Sequence, residues 1–259
     1  MIVNELPLSN RLIRETHKIL LQTVRGENKM PGDFRISQNW IGGSSLASAK
    51  FIPPNYRYID ELMGDVERFI HDESNNVPHL IKIAILHYQF ETIHPFLDGN
   101  GRVGRLLITL YLVGQGILNK PALYLSDYLE RNRDEYYSHL TAIREKNQII
   151  PWIKFFLKGI ISTATNAKET FIKIIQLQKD MEVKLHSFGT KSEKINTILN
   201  SFYDTPILSV KDIVTRTGIA DKTTRNMIEL MLEEGLIKEM TGYGRNKLFI
   251  FEKYFNLFK

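Results

Sequence analysis

The apolar positions of this 259-residue chain fall into short runs at helical spacing, separated by clusters of glycine and proline. From Asn10 to Val24, Leu12, Ile13, Thr16, Ile19, Leu20 and Thr23 form one stripe, which predicts a helix. A turn-rich break follows, with Gly26, Pro31 and Gly32. From Phe34 to Pro54, β-type and aromatic residues flank Gly42-Gly43-Ser44-Ser45, so the spacing predicts a short hairpin closed by Pro53-Pro54. Tyr58–Asp72 and Val77–Ile93 read as helices; in the second, Pro78 sits near the start and Leu80, Ile83, Ala84, Leu86 and Phe90 supply a buried face. Another helix runs from Arg102 to Val113 and ends at Gly114 and Gly116. A helical pair follows up to Lys146, then two amphipathic helical stretches between Pro151 and Ser187. The fold class is therefore mainly α.

The pattern changes after Phe188-Gly189-Thr190. One helix, then a helix, a turn at Gly218 and a helix, lead into two strands around Gly242-Tyr243-Gly244, which resembles a small winged helix-turn-helix domain. Three segments are expected: 1–150, a helical extension and connector over 151–189, and 190–259. The last carries 11 basic and 9 acidic side chains, with Asp221, Glu229, Glu233 and Glu234 diluting Lys222 and Arg225 on the second helix. A strong DNA binder would show a basic stripe, so this balance favours protein contact or a homodimer over DNA.

Composition narrows the class. Hydrophobic residues make up 43% and charged residues 24% of the chain, ordinary for a soluble globular protein. No run of eighteen apolar residues suggests a membrane span, and the first residues lack the basic and apolar regions of a signal peptide. The absence of cysteine excludes disulfides and thiolate metal sites and is compatible with a reducing cytoplasm. A net charge of +5 permits anionic partners without demanding them.

The chemistry is concentrated in His94–Arg105, HPFLDGNGRVGR. Gly99 and Gly101 let the backbone bend so that successive N–H groups converge on an anion. The helix that follows adds its orphan N–H groups and the positive end of its dipole. Arg102 and Arg105, three apart, share a face there. Asp98 can hold a divalent cation through oxygen, and His94 has the unperturbed pKa of a general base. His71, His79 and His87 read as ordinary helix histidines, and no spacing suggests zinc.

This stretch resembles the signature of the Fic family, HPFx(D/E)GNGRxxR, with every fixed position filled. The resemblance implies a Fic-type helical bundle with a β-hairpin flap over about 35–54, and a protein adenylyltransferase that moves AMP from ATP to a Ser, Thr or Tyr hydroxyl. It implies His94 as base, with Mg²⁺ held by Asp98 between the α- and β-phosphates. Gly99, Asn100, Gly101, Arg102, Val103, Gly104 and Arg105 would lie around the nucleotide, Asn100 orienting the α-phosphate and the two arginines neutralising the leaving pyrophosphate. By position, Ile41, Gly42, Gly43 and Ser44 match the flap that covers the nucleotide and registers a target protein by strand pairing. Tyr136 and Tyr137 match a pair near adenine and phosphates. Many family members also carry an inhibitory helix with an (S/T)xxxE(G/N) motif whose glutamate pairs with the position of Arg105. Thr23–Asn28 fits the letters only, since Gly26, Pro31 and Gly32 place it in a loop. A constitutively active enzyme, poor at removing AMP, is the expectation. The alternative is a winged-helix DNA-binding regulator that uses its Fic domain as a nucleotide sensor.

Overall fold

In a computed structural model, residues 7–22, 30–120, 123–244 and 246–258 are described. Two compact units divide between Thr165 and Asn166. Helices of the first unit are α1 (Asn10–Gln22), α2 (Ile59–His71), α3 (His79–Ile93), α4 (Asn100–Gly114), α5 (Leu125–Arg131) and α6 (Arg133–Lys146). A long helix, α7 (Ile149–Leu185), follows and contains the division point.

The core of the first unit is organised on α3. Ile83, Ala84, Leu86, His87, Phe90, Glu91 and Ile93 are all buried, so this helix is enclosed on several sides, as apolar residues on more than one face require. It packs against α2 and α4. The first turns of α7 complete the core with Trp152, Phe155, Phe156 and Ile160. Trp152 also donates its indole N–H to the Ala84 carbonyl at 3.0 Å.

The second unit carries α8 (Ser192–Asp204), β1 (Ile207–Ser209), α9 (Val210–Thr217), α10 (Asp221–Glu233), β2 (Lys238–Glu239), β3 (Leu248–Ile250) and α11 (Glu252–Phe255). Its sheet has the order β1-β3-β2, all antiparallel, with Leu208 opposite Phe249 and Glu239 opposite the same residue. Ser209 caps α9 reciprocally with Asp212, and Gly218 ends it in the left-handed region (φ 70°), which a residue without Cβ adopts freely. Met181 and Leu185 of α7 join this unit's core of Ile195, Phe202, Ile213 and Met231.

Several expectations are revised. The buried face of α1 is Ile13, His17 and Leu21, whereas Ile19 is exposed. A histidine fits that stripe because both ring nitrogens are hydrogen-bonded. The stretch expected as two helices is the single helix α7. Pro151 lies in its first turn, where an N–H has no helical acceptor to lose, and no later proline interrupts it. The hairpin is reduced to one antiparallel bridge, Ile41 with Phe51. Gly42 and Gly43 both have positive φ, and a 3-10 turn at Leu46–Ser48 takes up the residues that would extend a ladder. The second unit has three strands where two were expected, because β1 also pairs with β3. Thr23–Asn28 lies outside the described residues.

Trp152→Ala should lower unfolding free energy by about 3–5 kcal/mol, the usual cost of emptying a buried tryptophan site. Urea unfolding followed by far-ultraviolet circular dichroism checks this, and a loss below about 1 kcal/mol would contradict the packing described.

Candidate active site

The chain leaves α3 at His94 in the left-handed region (φ 51°, ψ 60°), with the His94 N–H on the Phe90 carbonyl at 2.9 Å. Pro95 disfavours continued helix at the residue before it. Such a backbone costs about 1–3 kcal/mol in a non-glycine residue and persists only where its surroundings hold it. Arg35 is the main restraint. Its guanidinium, buried in the first unit, donates from Nε to the His94 carbonyl at 3.0 Å and from Nη2 to the Ile93 carbonyl at 3.4 Å. It also reaches the Ser37 and Pro54 carbonyls. Asn39 adds Nδ2–H bonds to the carbonyls of His94 (3.4 Å) and Phe96 (3.0 Å).

The His94 imidazole has no hydrogen-bond partner at Nδ1. Burial pushes it down to about 4; the Glu91 backbone carbonyl opposes this, while Arg35 and Arg144 add to it. At neutral pH the ring is therefore uncharged, and its Nδ1 is buried.

The turn after His94 is rigid. Asn100 accepts the Phe96 N–H at 2.8 Å and returns its own Nδ2–H to the Phe96 carbonyl at 2.7 Å. His17 of α1 stacks on Phe96 at 3.8 Å between centroids. A carbonyl can only accept, so His17 donates Nε2–H to Asp98 O (3.0 Å), leaving Nδ1 to accept the Gly32 N–H (2.9 Å). Burial lowers the His17 pKa, in keeping with that neutral tautomer. Gly99 takes φ 79°, and α4 begins at the next residue. The first N–H groups of α4 have no helical acceptor and present a positive helix end. Arg102 lies 3.7 Å from Asp98, and Arg105 folds back so that its Nη1 would lie 3.2 Å from a Cβ on Gly101. Asp98, with 53% of its side chain exposed, uses Oδ1 to accept the Gly99 N–H at 2.7 Å. Among the described residues no group of three or more His, Cys, Asp or Glu side chains could hold a metal. A single exposed carboxylate suits an ion that takes its remaining oxygens from phosphates and water.

The motif thus gathers His94, Asp98, Gly99, Asn100, Gly101, Arg102 and Arg105. Three expected contacts belong to the interior instead. Val103 is in the core. Gly104 allows α3 and α4 to approach closely: a Cβ there would lie 3.1 Å from Phe90 and overlap Glu91 Oε1. Tyr136 is 5% exposed and donates its hydroxyl to Nε2 of His87, whose Nδ1–H donates to the Gly104 carbonyl. Burial pushes His87 down to about 4, so that ring too stays neutral. Tyr137 is 47% exposed, its ring 5.1 Å from that of Tyr136. Ile41 is half-buried at the bridge, and Gly42, Gly43 and Ser44 are exposed beside it. In Gly43 (φ 75°) a Cβ would strike the Ser48 backbone.

Arg35, Asn39, His17, Glu91 and Arg144 were not anticipated. Arg144 donates from Nε to Thr92 Oγ1 at 3.3 Å and lies 3.7 Å from the centroid of Phe51, the bridge partner of Ile41. Glu91 could have been noticed, because a carboxylate four residues after His87 falls on the apolar stripe of α3. The others come from segments remote in sequence and leave no periodic trace.

Residues 7–112 match the family model described as Fic/DOC family. Over 155 residues the chain is 30% identical to protein adenylyltransferase Fic of Drosophila grimshawi, covering 60% of this chain and 29% of that protein. It is 31% identical over the same length to the protein of that name from Drosophila mojavensis, 28% of which is covered. The chain therefore spans less than a third of the length of these relatives. A crystal structure of a Fic family protein from Desulfovibrio desulfuricans G20 superposes with a TM-score of 0.53 at 22% identity, covering 93% of this chain and 68% of that one. A Fic domain-containing signaling protein from Bacteroides thetaiotaomicron VPI-5482 gives 0.51 at 22% identity, with 63% of each chain covered. At these identities the likeness is one of fold.

Arg35→Lys keeps the charge but loses the fork that reaches several carbonyls. We expect a stability loss of about 2 kcal/mol from buried acceptors left unpaired, read from a urea midpoint; an unchanged midpoint would show that Arg35 does not hold the turn.

Proposed function

We propose that this chain, whose residues 7–112 match the Fic/DOC family model, transfers AMP from ATP to a hydroxyl of a target protein. The observation that carries the reading is the neutral imidazole of His94 beside an arginine-lined helix N-terminus. The curated relatives named protein adenylyltransferase support it.

In this reading the phosphates of ATP lie over Gly99, Asn100 and Gly101, on the N–H groups that open α4. Arg102 and Arg105 face the β- and γ-phosphates. Asp98 is the residue that would hold Mg²⁺, which when bound supplies charge neutralisation at the phosphates. Asn100, with its amide given to Phe96, contributes mainly by fixing the turn. The target hydroxyl oxygen forms a bond to the α-phosphorus as the bond from that phosphorus to the bridging oxygen breaks. His94 accepts the hydroxyl proton, and pyrophosphate leaves. Positioning and charge neutralisation supply most of the rate. In this reading a target segment is bound beside the bridge, at the exposed Gly42, Gly43 and Ser44.

For the second unit we favour a winged helix used for protein contact or self-association. Its element order and the Asp221–Arg225 pairing on α10 support that choice over DNA. Among the described residues no helix is long and apolar enough to cross a membrane.

The test is incubation with cell lysate and ATP labelled at the α- or the γ-phosphate. Label on protein from the α-position alone establishes AMP transfer, and label from the γ-position would make the protein a kinase. His94→Ala should reduce the α-label at least about 10²-fold while leaving ATP binding intact; full labelling in that variant would remove His94 from the mechanism. Because His94 is deprotonated down to about pH 4 in the free protein, the acid limb of kcat/KM should fall well below the ordinary histidine value of 6.5. An acid limb at 6.5 would contradict the buried environment.

A further inference from the structure

Glu91 lies one turn before His94 on α3 and is 7% exposed. Its Oε1 packs against the opening turns of α4, overlapping the position of a Cβ on Gly104 and 4.0 Å from that of one on Gly101. That oxygen has no hydrogen-bond partner among the described residues. The titratable and charged groups facing it are Arg105 of α4 and Arg144 and Tyr136 of α6. On α3 itself, His87 and His94 are neutral. Burial pushes the Glu91 carboxyl up to about 7, against the pull of Arg105 and Arg144. A buried carboxylate with no donor at Oε1 is held ionised only by cations at a distance.

One of those cations has a second task. Under the nucleotide reading, on which this inference rests, Arg105 turns its charge toward the phosphates. The phosphates bring negative charge to the end of the helix against which Glu91 packs. Binding therefore removes stabilisation from the carboxylate and adds repulsion to it, and both effects favour the protonated form.

The geometry points to Glu91 as a proton-accepting positioning residue of the nucleotide site, which takes up a proton as the phosphate chain binds and becomes a neutral wall behind Arg105. It does not touch the reacting atoms. Its part is to balance Arg105 when the site is empty and to release that arginine to the ligand when it is filled.

The test is isothermal titration of the full chain with α,β-methylene-ATP and Mg²⁺, an analogue that cannot transfer AMP. Titrations at pH 7.0 in PIPES, HEPES and Tris give the proton uptake from the slope of observed heat against buffer ionisation enthalpy. We expect an uptake of about 0.5 proton from a half-ionised group in the wild type and in His94→Ala, and close to none in Glu91→Gln. Nucleotide binding with no buffer dependence would overturn the inference and leave the nucleotide reading standing, as would an uptake retained in Glu91→Gln. Absence of any nucleotide binding would overturn both. Should Glu91→Gln fail to fold, wild-type titrations at pH 5.5 and 7.0 decide. Uptake that vanishes at the lower pH belongs to Glu91, and uptake that grows there belongs to His94 and overturns the inference.

Discussion

The C-terminal carbonyls of α3 are buried, and a buried helix end without donors is unstable. Arg35 supplies those donors. Its one guanidinium bonds the carbonyls of Ile93 and His94 and also those of Ser37 and Pro54. The two ends of the loop that carries Ile41–Ser44 and the residue that carries the imidazole are therefore fixed to the same planar group. Through Asn39 the restraint extends to Phe96, and through Asn100 from Phe96 to the first turn of α4. The left-handed backbone at His94 follows from this network.

A second regularity is electrostatic. His17, His87 and His94 are all shifted down, in each case first by burial. Two of them have both ring nitrogens engaged, which fixes the tautomer as well as the charge. His94 differs because Nδ1 is left without a partner. The contrast separates two histidines tied at both nitrogens from one that is not. The arginines around them, Arg35, Arg102, Arg105 and Arg144, keep their charge across the neutral range.

Much of this arrangement was legible along the chain because it is local. The run from His94 to Arg105 encodes a turn, a helix start and the side chains projecting from it, and all fall within a few residues of one another. In the second unit the helix, the turn at Gly218 and the next helix were readable, whereas the pairing of β1 and a division as early as Thr165 were not. The hairpin was less so: the residues flanking Gly42 and Gly43 have strand character, but a single bridge forms, because both glycines and the 3-10 turn divert the backbone. Spacing alone also could not reveal that Val103 and Gly104, inside the motif, face α3 and the core.

The sequence by itself determined most of the helices and the chemistry of the motif, since helix periodicity, glycine backbone freedom and the donor types of arginine and asparagine act over a few residues. Tertiary structure alone decided which remote groups complete the site: Arg35 and Asn39 under the turn, His17 beneath Phe96, and Arg144 between Thr92 and Phe51. It also decided the protonation of His94 and Glu91. The physical reason is that desolvation and charge proximity depend on what is folded against a group, and no local pattern of residues records that.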